Sequence, residues 1–272
     1  MIRKHKRKRK DTEYLYLSAY LHAREARAGE SEARNREAVF RELEELAPDR
    51  GIVDFFRVKY DYHNAKVFLK SIASNTDNSR LYSSMGRYTP EQLMLAYRDG
   101  KSEALSPAFA KALTQADDVL SRTRDPRLAD FLLDRAYVGE MKTTAEGTGS
   151  PLLTRFAALQ ADALNLRALV RMLKSGVEPE QLGEVLTDCG SVPLKALKEA
   201  YPDTGTVLAL YKTTELAPLL PEAEKAAQGG GFSPLENGCR RLLASWMDRV
   251  KLTPFGEEVL IRYLYRLEAN EA

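Results

Sequence analysis

The sequence contains little of what metal sites, disulfide scaffolds and membrane spans are made of. It has two cysteines, three histidines and one tryptophan in 272 residues. Cys189 and Cys239 form no CxxC pair and have no nearby histidine, which fits buried thiols in a reducing compartment better than a disulfide or a zinc site. No apolar run approaches the roughly 18 residues of a membrane span. The basic N-terminus has no apolar region behind it, so we predict no secretory signal.

Motifs of catalysis are also missing from the sequence. The segment Gly100–Ser102 resembles the end of a phosphate-binding loop, but Leu95 stands where that loop requires glycine, and a helical pattern precedes it. We interpret it as a turn that ends a helix. His5, His22 and His63 show no metal-ligand spacing, and no GxSxG motif occurs. We therefore predict no catalytic residue, no cofactor and no metal.

Positive charge is concentrated at one end. Seven of the first ten residues are Lys or Arg, whereas the rest of the chain carries more acidic than basic residues, and the net charge is +2. Such a segment can bind nucleic acid or anionic lipid, or it can be a solvated, disordered tail. We favour the tail, because no basic and aromatic patch elsewhere indicates a nucleic-acid surface. The alternative function is an α-helical scaffold or interaction protein, with nucleic-acid binding through this segment.

The remaining sequence is typical of helices. Long apolar-periodic stretches are rich in Ala, Leu, Glu, Lys and Arg, which are good helix formers, and no set of alternating strand segments occurs. Ser-Pro and Thr-Pro pairs predict four helix starts, because proline suits the first helical position. These pairs are at Thr89–Pro90, Ser106–Pro107, Ser233–Pro234 and Thr253–Pro254. Breaks are predicted near residues 75–78, 146–150, 202–205 and 229–231. The predicted fold class is all-α.

An internal repeat is the most informative feature. Residues 55–72 (FFRVKYDYHNAKVFLKSI) align without gaps with residues 156–173 (FAALQADALNLRALVRML), at an offset of 101. In both segments apolar residues recur at alternating spacings of three and four, which predicts one buried face along a helix of about five turns. Two such helices indicate a unit of about 100 residues that is used more than once.

Polar residues also match between the two copies. They are Asp61, Asn64 and Lys66 in the first copy, and Asp162, Asn165 and Arg167 in the second. The acid and the amide are three residues apart, so they lie side by side at the edge of the apolar face. They could serve as acid–base or metal groups, or they could bind backbone groups of a neighbouring helix end. We favour the structural role, because neither copy has a second carboxylate or a histidine arranged around it.

The stretches YDYHNAKVFLK at 60–70 and ADALNLRALVR at 161–171 resemble the C subunit of prokaryotic V-type and A-type ATPases, a relative of the d subunit of the eukaryotic enzyme. The opening DTEYLYLSA at 11–19 and the segment TPFGEEVLIRYLYRLEA at 253–269 resemble the start and the C-terminal helix of that family. The resemblance runs from Asp11 to the end of the chain.

The resemblance implies a funnel-like body of repeated helical domains. It implies a non-catalytic connector in the central stalk, between the rotating shaft and the membrane rotor ring. Such a connector couples ATP hydrolysis or synthesis to proton or sodium transport. The expected partners are the shaft subunits and the ring, and the expected location is the cytoplasmic face of the membrane, peripherally, as part of the complex. The coupled ion and the direction of operation stay open.

The expected domains are a basic disordered tail at 1–10 and three helical domains at 11–105, 106–205 and 206–272. The first of these is shortened relative to the family, which usually has several dozen more residues after Ala19. The third is incomplete, because the Asn and Arg of a third motif would follow Ala272.

Overall fold

A computed structural model describes residues 8–27, 36–99 and 102–269. These residues form thirteen α-helices and no strand, so the predicted all-α fold is confirmed for the described part of the chain. The helices are α1 (Leu15–Arg27), α2 (Arg36–Leu46), α3 (Arg50–Ser74), α4 (Pro90–Asp99), α5 (Pro107–Thr123), α6 (Pro126–Thr148), α7 (Pro151–Ser175), α8 (Leu182–Val185), α9 (Leu194–Ala200), α10 (Thr204–Ala209), α11 (Leu220–Ala227), α12 (Ser233–Met247) and α13 (Glu257–Ala269). Within the described ranges, no helix is both long enough and apolar enough to cross a membrane.

Three of the four predicted helix starts are present, at Pro90, Pro107 and Ser233. At the first of them, the Thr89 N–H donates to Gln92 Oε1 at 2.9 Å and the Gln92 N–H donates to Thr89 Oγ1 at 3.2 Å. This reciprocal pair is a capping box, which satisfies two backbone donors that have no partner inside the helix.

The fourth predicted start, Thr253–Pro254, is wrong, because α13 begins at Glu257. The residues around Pro254 instead contact α1. His22 Nε2 donates to the Pro254 carbonyl at 3.1 Å, and the Gly256 N–H donates to Ser18 Oγ at 3.2 Å. Gly256 has a φ of +127°, a backbone conformation that a residue with a side chain rarely adopts. This contact with α1 accounts for a turn at a proline that otherwise favours a helix.

The chain forms two compact units. The first comprises Met1–Leu153 together with Val250–Ala272, and the second comprises Thr154–Arg249. The three helical domains expected from the sequence stay a prediction.

In the first unit α3 packs against α6, and α6 packs against α5. Tyr62 of α3 meets Phe109 of α5 edge to face, with ring centroids 5.0 Å apart, and Leu133 of α6 is fully buried in the same cluster. α13 packs against α1 and α3. The long helix α3 is therefore covered on several sides.

In the second unit α7 packs against α12. The rings of Phe156 and Trp246 stack with centroids 5.6 Å apart, and Arg171 bonds Glu236 at 2.5 Å. The short helices α8–α11 belong to the same unit.

The two helices predicted from the repeat are present. α3 and α7 each have 25 residues. The first residue of α7 lies 101 positions after the first residue of α3, and the same offset separates their last residues. Most of the predicted apolar face is buried in each helix. It is incomplete at the last turn, where Ile72 is 47% exposed and Leu173 is half-buried.

Of the predicted tail, residues 1–7 lie outside the described residues. Lys8 is described, and its Nζ lies 3.1 Å from both Asp11 Oδ1 and Glu258 Oε1, and 3.5 Å from Glu257 Oε1. Lys8 therefore contacts the N-terminus of α13. The expectation of a disordered tail stays a prediction.

Candidate functional site

The two buried asparagines of the repeat bind the loop that follows their own helix. Asn64 Nδ2 donates to the Ser83 carbonyl at 2.8 Å, and Asn64 Oδ1 accepts from the Ser83 N–H at 2.8 Å. Asn165 makes the same pair of bonds with Thr187, at 2.8 and 3.0 Å. Because an amide has a donor and an acceptor side by side, one asparagine satisfies both backbone groups of one loop residue.

The two buried aspartates bind the same loops a few residues further on. Each carboxylate accepts from two successive backbone N–H groups, at 2.7 and 3.3 Å in the first unit and at 2.9 and 3.2 Å in the second. The donors are Arg87 and Tyr88 for Asp61, and Ser191 and Val192 for Asp162. We call Asp61, Asn64 and the loop 83–88 the first clamp, and Asp162, Asn165 and the loop 187–192 the second clamp.

The two loops share a pattern that was absent from our sequence-based predictions. A Ser or Thr hydroxyl accepts from the backbone N–H two residues later, and a glycine follows at the third position, in SSMGR at 83–87 and TDCGS at 187–191. A Cβ on Gly86 would lie 2.6 Å from its clamp carboxylate, and a Cβ on Gly190 would lie 2.0 Å from the other. Only glycine fits at such a distance. The spacing [Ser/Thr]-x-x-Gly, which recurs 104 residues later, is the signal by which the sequence could have revealed these loops.

The first clamp contains a buried ionic network. Arg87 Nε bonds Asp61 at 2.6 Å, and a terminal nitrogen of the same guanidinium bonds Glu140 Oε1 at 2.9 Å. Glu140, which is buried, also accepts from the Tyr62 hydroxyl at 2.8 Å and from Ser106 Oγ at 2.6 Å. The network joins α3, the clamp loop, the start of α5 and α6.

A second arginine binds the first clamp loop from outside this network. Arg57 of α3 donates to the carbonyls of Met85 and Gly86, and it pairs with Glu44 of α2. Arg57 thus binds the carbonyl groups of the loop, while Arg87 binds the carboxylate of Asp61. Burial raises the pKa of Asp61 to about 6, although the charge and the hydrogen bonds of Arg87 oppose this shift.

The basic residues of the repeat lie outside the clamps. Lys66 pairs with Asp134 of α6 at 2.6 Å. Arg167 Nε donates to the Ala163 carbonyl of its own helix at 3.3 Å. The repeat grouped both with the clamp residues, and the structure separates them from the clamps.

The clamp carboxylates and amides bind loop backbone, and no group of three or more His, Cys, Asp or Glu that could hold a metal occurs in the ranges described. His63 is exposed, with Nε2 donating to the Leu81 carbonyl at 2.9 Å. The turn predicted at Gly100–Ser102 falls mostly outside the described residues, because Gly100 and Lys101 are not among them.

Comparisons with known proteins match the chain over most of its length. The family model described as ATP synthase (C/AC39) subunit matches residues 11–270. The C subunit of the V-type sodium ATPase of Enterococcus hirae is 24% identical over 165 residues, which are 61% of this chain and 50% of that protein. The chain spans about half the length of this curated relative.

Proposed function

Because the chain belongs to the ATP synthase (C/AC39) subunit family, we propose that it is a non-catalytic central-stalk subunit of a V/A-type rotary ATPase. In this role it links the rotating shaft to the membrane rotor ring, and it transmits torque between ATP hydrolysis or synthesis and the transport of protons or sodium ions. It works at the cytoplasmic face of the membrane, held there by its partners. The match of the family model to residues 11–270 carries this proposal.

The two clamps support a mechanical role. A connector that transmits torque needs loops that keep their position relative to the helices behind them. Each clamp fixes a loop to a 25-residue helix through four or more hydrogen bonds from buried side chains. We propose that Asp61, Asn64, Asp162 and Asn165 are structural residues of this connector, and that they bind neither substrate nor metal.

Co-purification tests the proposal. The tagged full chain would be mixed with the shaft subunits and the detergent-solubilised rotor ring of the same organism. We expect both to be recovered, with the shaft in one-to-one amount. Recovery of neither, with chain that is helical by circular dichroism, would contradict the proposal.

Removal of residues 2–7 separates this function from nucleic-acid binding by the basic segment. The deletion retains Lys8, whose ion pairs with Asp11 and Glu258 belong to the folded first unit. We expect the shortened chain to recover the shaft and ring as well as the full chain does. Loss of both partners together with loss of nucleic-acid binding would favour the alternative function.

A further inference from the structure

The two clamps have the same backbone frame but different charges. In the first unit Arg87 pairs with the clamp carboxylate and Arg57 binds the loop carbonyls. Ser191 stands at the position of Arg87, because its N–H binds the second carboxylate in the same way. Ala158 stands at the position of Arg57, 101 residues further along the matched helix. The second clamp therefore lacks both guanidinium groups.

The carboxylate of Asp162 is buried without a cation bound to it among the described residues. It is 2% exposed, and its partners in that part of the chain are the N–H and hydroxyl of Ser191 and the N–H of Val192. Its counterpart Asp61, 1% exposed, has the Arg87 guanidinium at 2.6 Å. Buried charges in proteins are usually paired, because desolvation of an unpaired charge is costly. The hydrogen bonds from Ser191 and Val192 stabilise this carboxylate, but they bring no positive charge to it.

A cleft lies where the two arginines would be. It has a volume of about 690 Å³, and it is lined by Ala158, Asp162 and Ser191, among others. Both positions that carry arginine in the first unit therefore face the same open space in the second. In the described part of this unit, the Ser191 hydroxyl is the one side-chain donor to the clamp carboxylate, and it carries no charge.

The other walls of the cleft define what it can accept. Glu215 is already bound by both terminal nitrogens of Arg249, at 2.7 and 2.9 Å, and these bonds lower its pKa. Arg155 also lines the cleft; it is exposed and seven residues before Asp162 on α7.

We propose that this cleft receives an arginine side chain of a partner protein, whose guanidinium group pairs with Asp162. Arginine fits better than lysine, because its planar fork can bind a carboxylate and a neighbouring acceptor together, as Arg87 binds two carboxylates in the first unit. Its aliphatic stem would lie along Trp246, which forms one wall. The inference rests on the proposed function only for the identity of the partner, a subunit of the same complex.

A capped arginine tests the site without any partner. N-acetyl-arginine N-methylamide would be titrated into the full chain while the indole N–H signal of Trp246 is followed by NMR. This is the only tryptophan, so the signal is assigned by its uniqueness. We expect a saturable shift, and binding of the corresponding capped lysine roughly tenfold weaker, because a point charge replaces a two-point contact.

Two variants make the test specific. Ser191→Arg places the arginine of the first clamp into the second, so it should fill the cleft, abolish the shift by the probe and raise the Tm. Ala158→Arg approaches the same space from the helix and serves if the first variant does not fold. A shift that survives in both variants would place the probe elsewhere and overturn the proposal, as would no shift in the unmodified chain.

Arg155→Ala distinguishes a partner from an internal occupant. If the capped arginine shifts the Trp246 signal only after Arg155 is removed, Arg155 is the native cation of the clamp and the proposal is wrong. Co-purification of the Ser191→Arg chain then links the site to the complex, where we expect at least one partner to be lost. Binding of the probe by a chain that recovers no partner would contradict the proposed function but not the site.

Discussion

Replacement of Asn165 by leucine should destabilise the second unit by an amount that follows from its contacts. Asn165 is 1% exposed, and its amide satisfies both backbone groups of Thr187, which is itself buried. A buried polar group left without a partner costs about 1–3 kcal/mol, so the two groups cost about 2–6 kcal/mol. Burial of the leucine side chain returns about 1–2 kcal/mol. With central values of about 4 and about 1.5 kcal/mol for these two terms, we expect a net loss of about 2.5 kcal/mol in the free energy of unfolding.

Urea unfolding followed by Trp246 fluorescence measures this loss where it occurs, because the single tryptophan belongs to the second unit. With a denaturant dependence of about 2 kcal/mol per molar urea, the midpoint should fall by about 1–2 M. Hydrogen exchange at the Thr187 amide should also become faster, because this amide loses its acceptor.

Asn237→Leu is the matched control. Asn237 is exposed on α12, so the same chemical change should alter the free energy of unfolding by no more than about 0.5 kcal/mol. Equal midpoints for the Asn165 and Asn237 variants, with unchanged exchange at Thr187, would refute the reasoning that the amide holds the loop.

Further predictions concern the clamps and their network. Gly190→Ala should lower the Tm, because a Cβ would lie 2.0 Å from the clamp carboxylate, whereas Gly139→Ala in α6 should raise it, because nothing lies within 4 Å of the added carbon. Glu140→Gln should destabilise the first unit by about 1–3 kcal/mol by weakening its bond from Arg87, measured by urea unfolding with circular dichroism; no change in stability would contradict the network. The pKa of Asp61 is raised from 3.8 to about 6, so between these two pH values the folded chain holds a proton that the unfolded chain has lost. The contribution of this group to stability is therefore largest below pH 3.8 and falls as the pH rises to about 6, and Asp61→Asn should remove this dependence; an equal pH dependence in that variant would contradict it.

The two long helices could be predicted from the sequence because the pattern that specifies them lies within each helix. The apolar positions of α3 and α7 recur with the period of a helix, and this period does not depend on what covers them. The prediction at Thr253–Pro254 failed for the opposite reason. That turn is held by contacts with Ser18 and His22, more than 230 residues away in the chain, and no local pattern reports them.

The clamps were predictable only in part. The pair of Asp and Asn three residues apart is visible in both copies, and its preference for backbone partners could be argued from the absence of other ligands. The loops that they bind are three residues further from the helix in the second copy, so they do not align at the offset of the helices. The Arg87–Glu140 pair joins residues 53 positions apart, and Ser191 replaces the arginine in the second unit, so no repeat could reveal it.

The differences between the two copies are more informative about function than their common frame. The Asp–Asn clamp holds the loop of the second unit without an arginine, so the arginines of the first clamp are not required for the common frame. In the first unit they connect the loop to α2 and α6 through Glu44 and Glu140. In the second unit the same positions are small and open to a cleft beside a buried carboxylate. The shared frame therefore carries the loops, and the residues that differ around it set the charge that each unit offers to a binding partner. In the second unit the charge of Asp162 is the feature that the proposed arginine would neutralise.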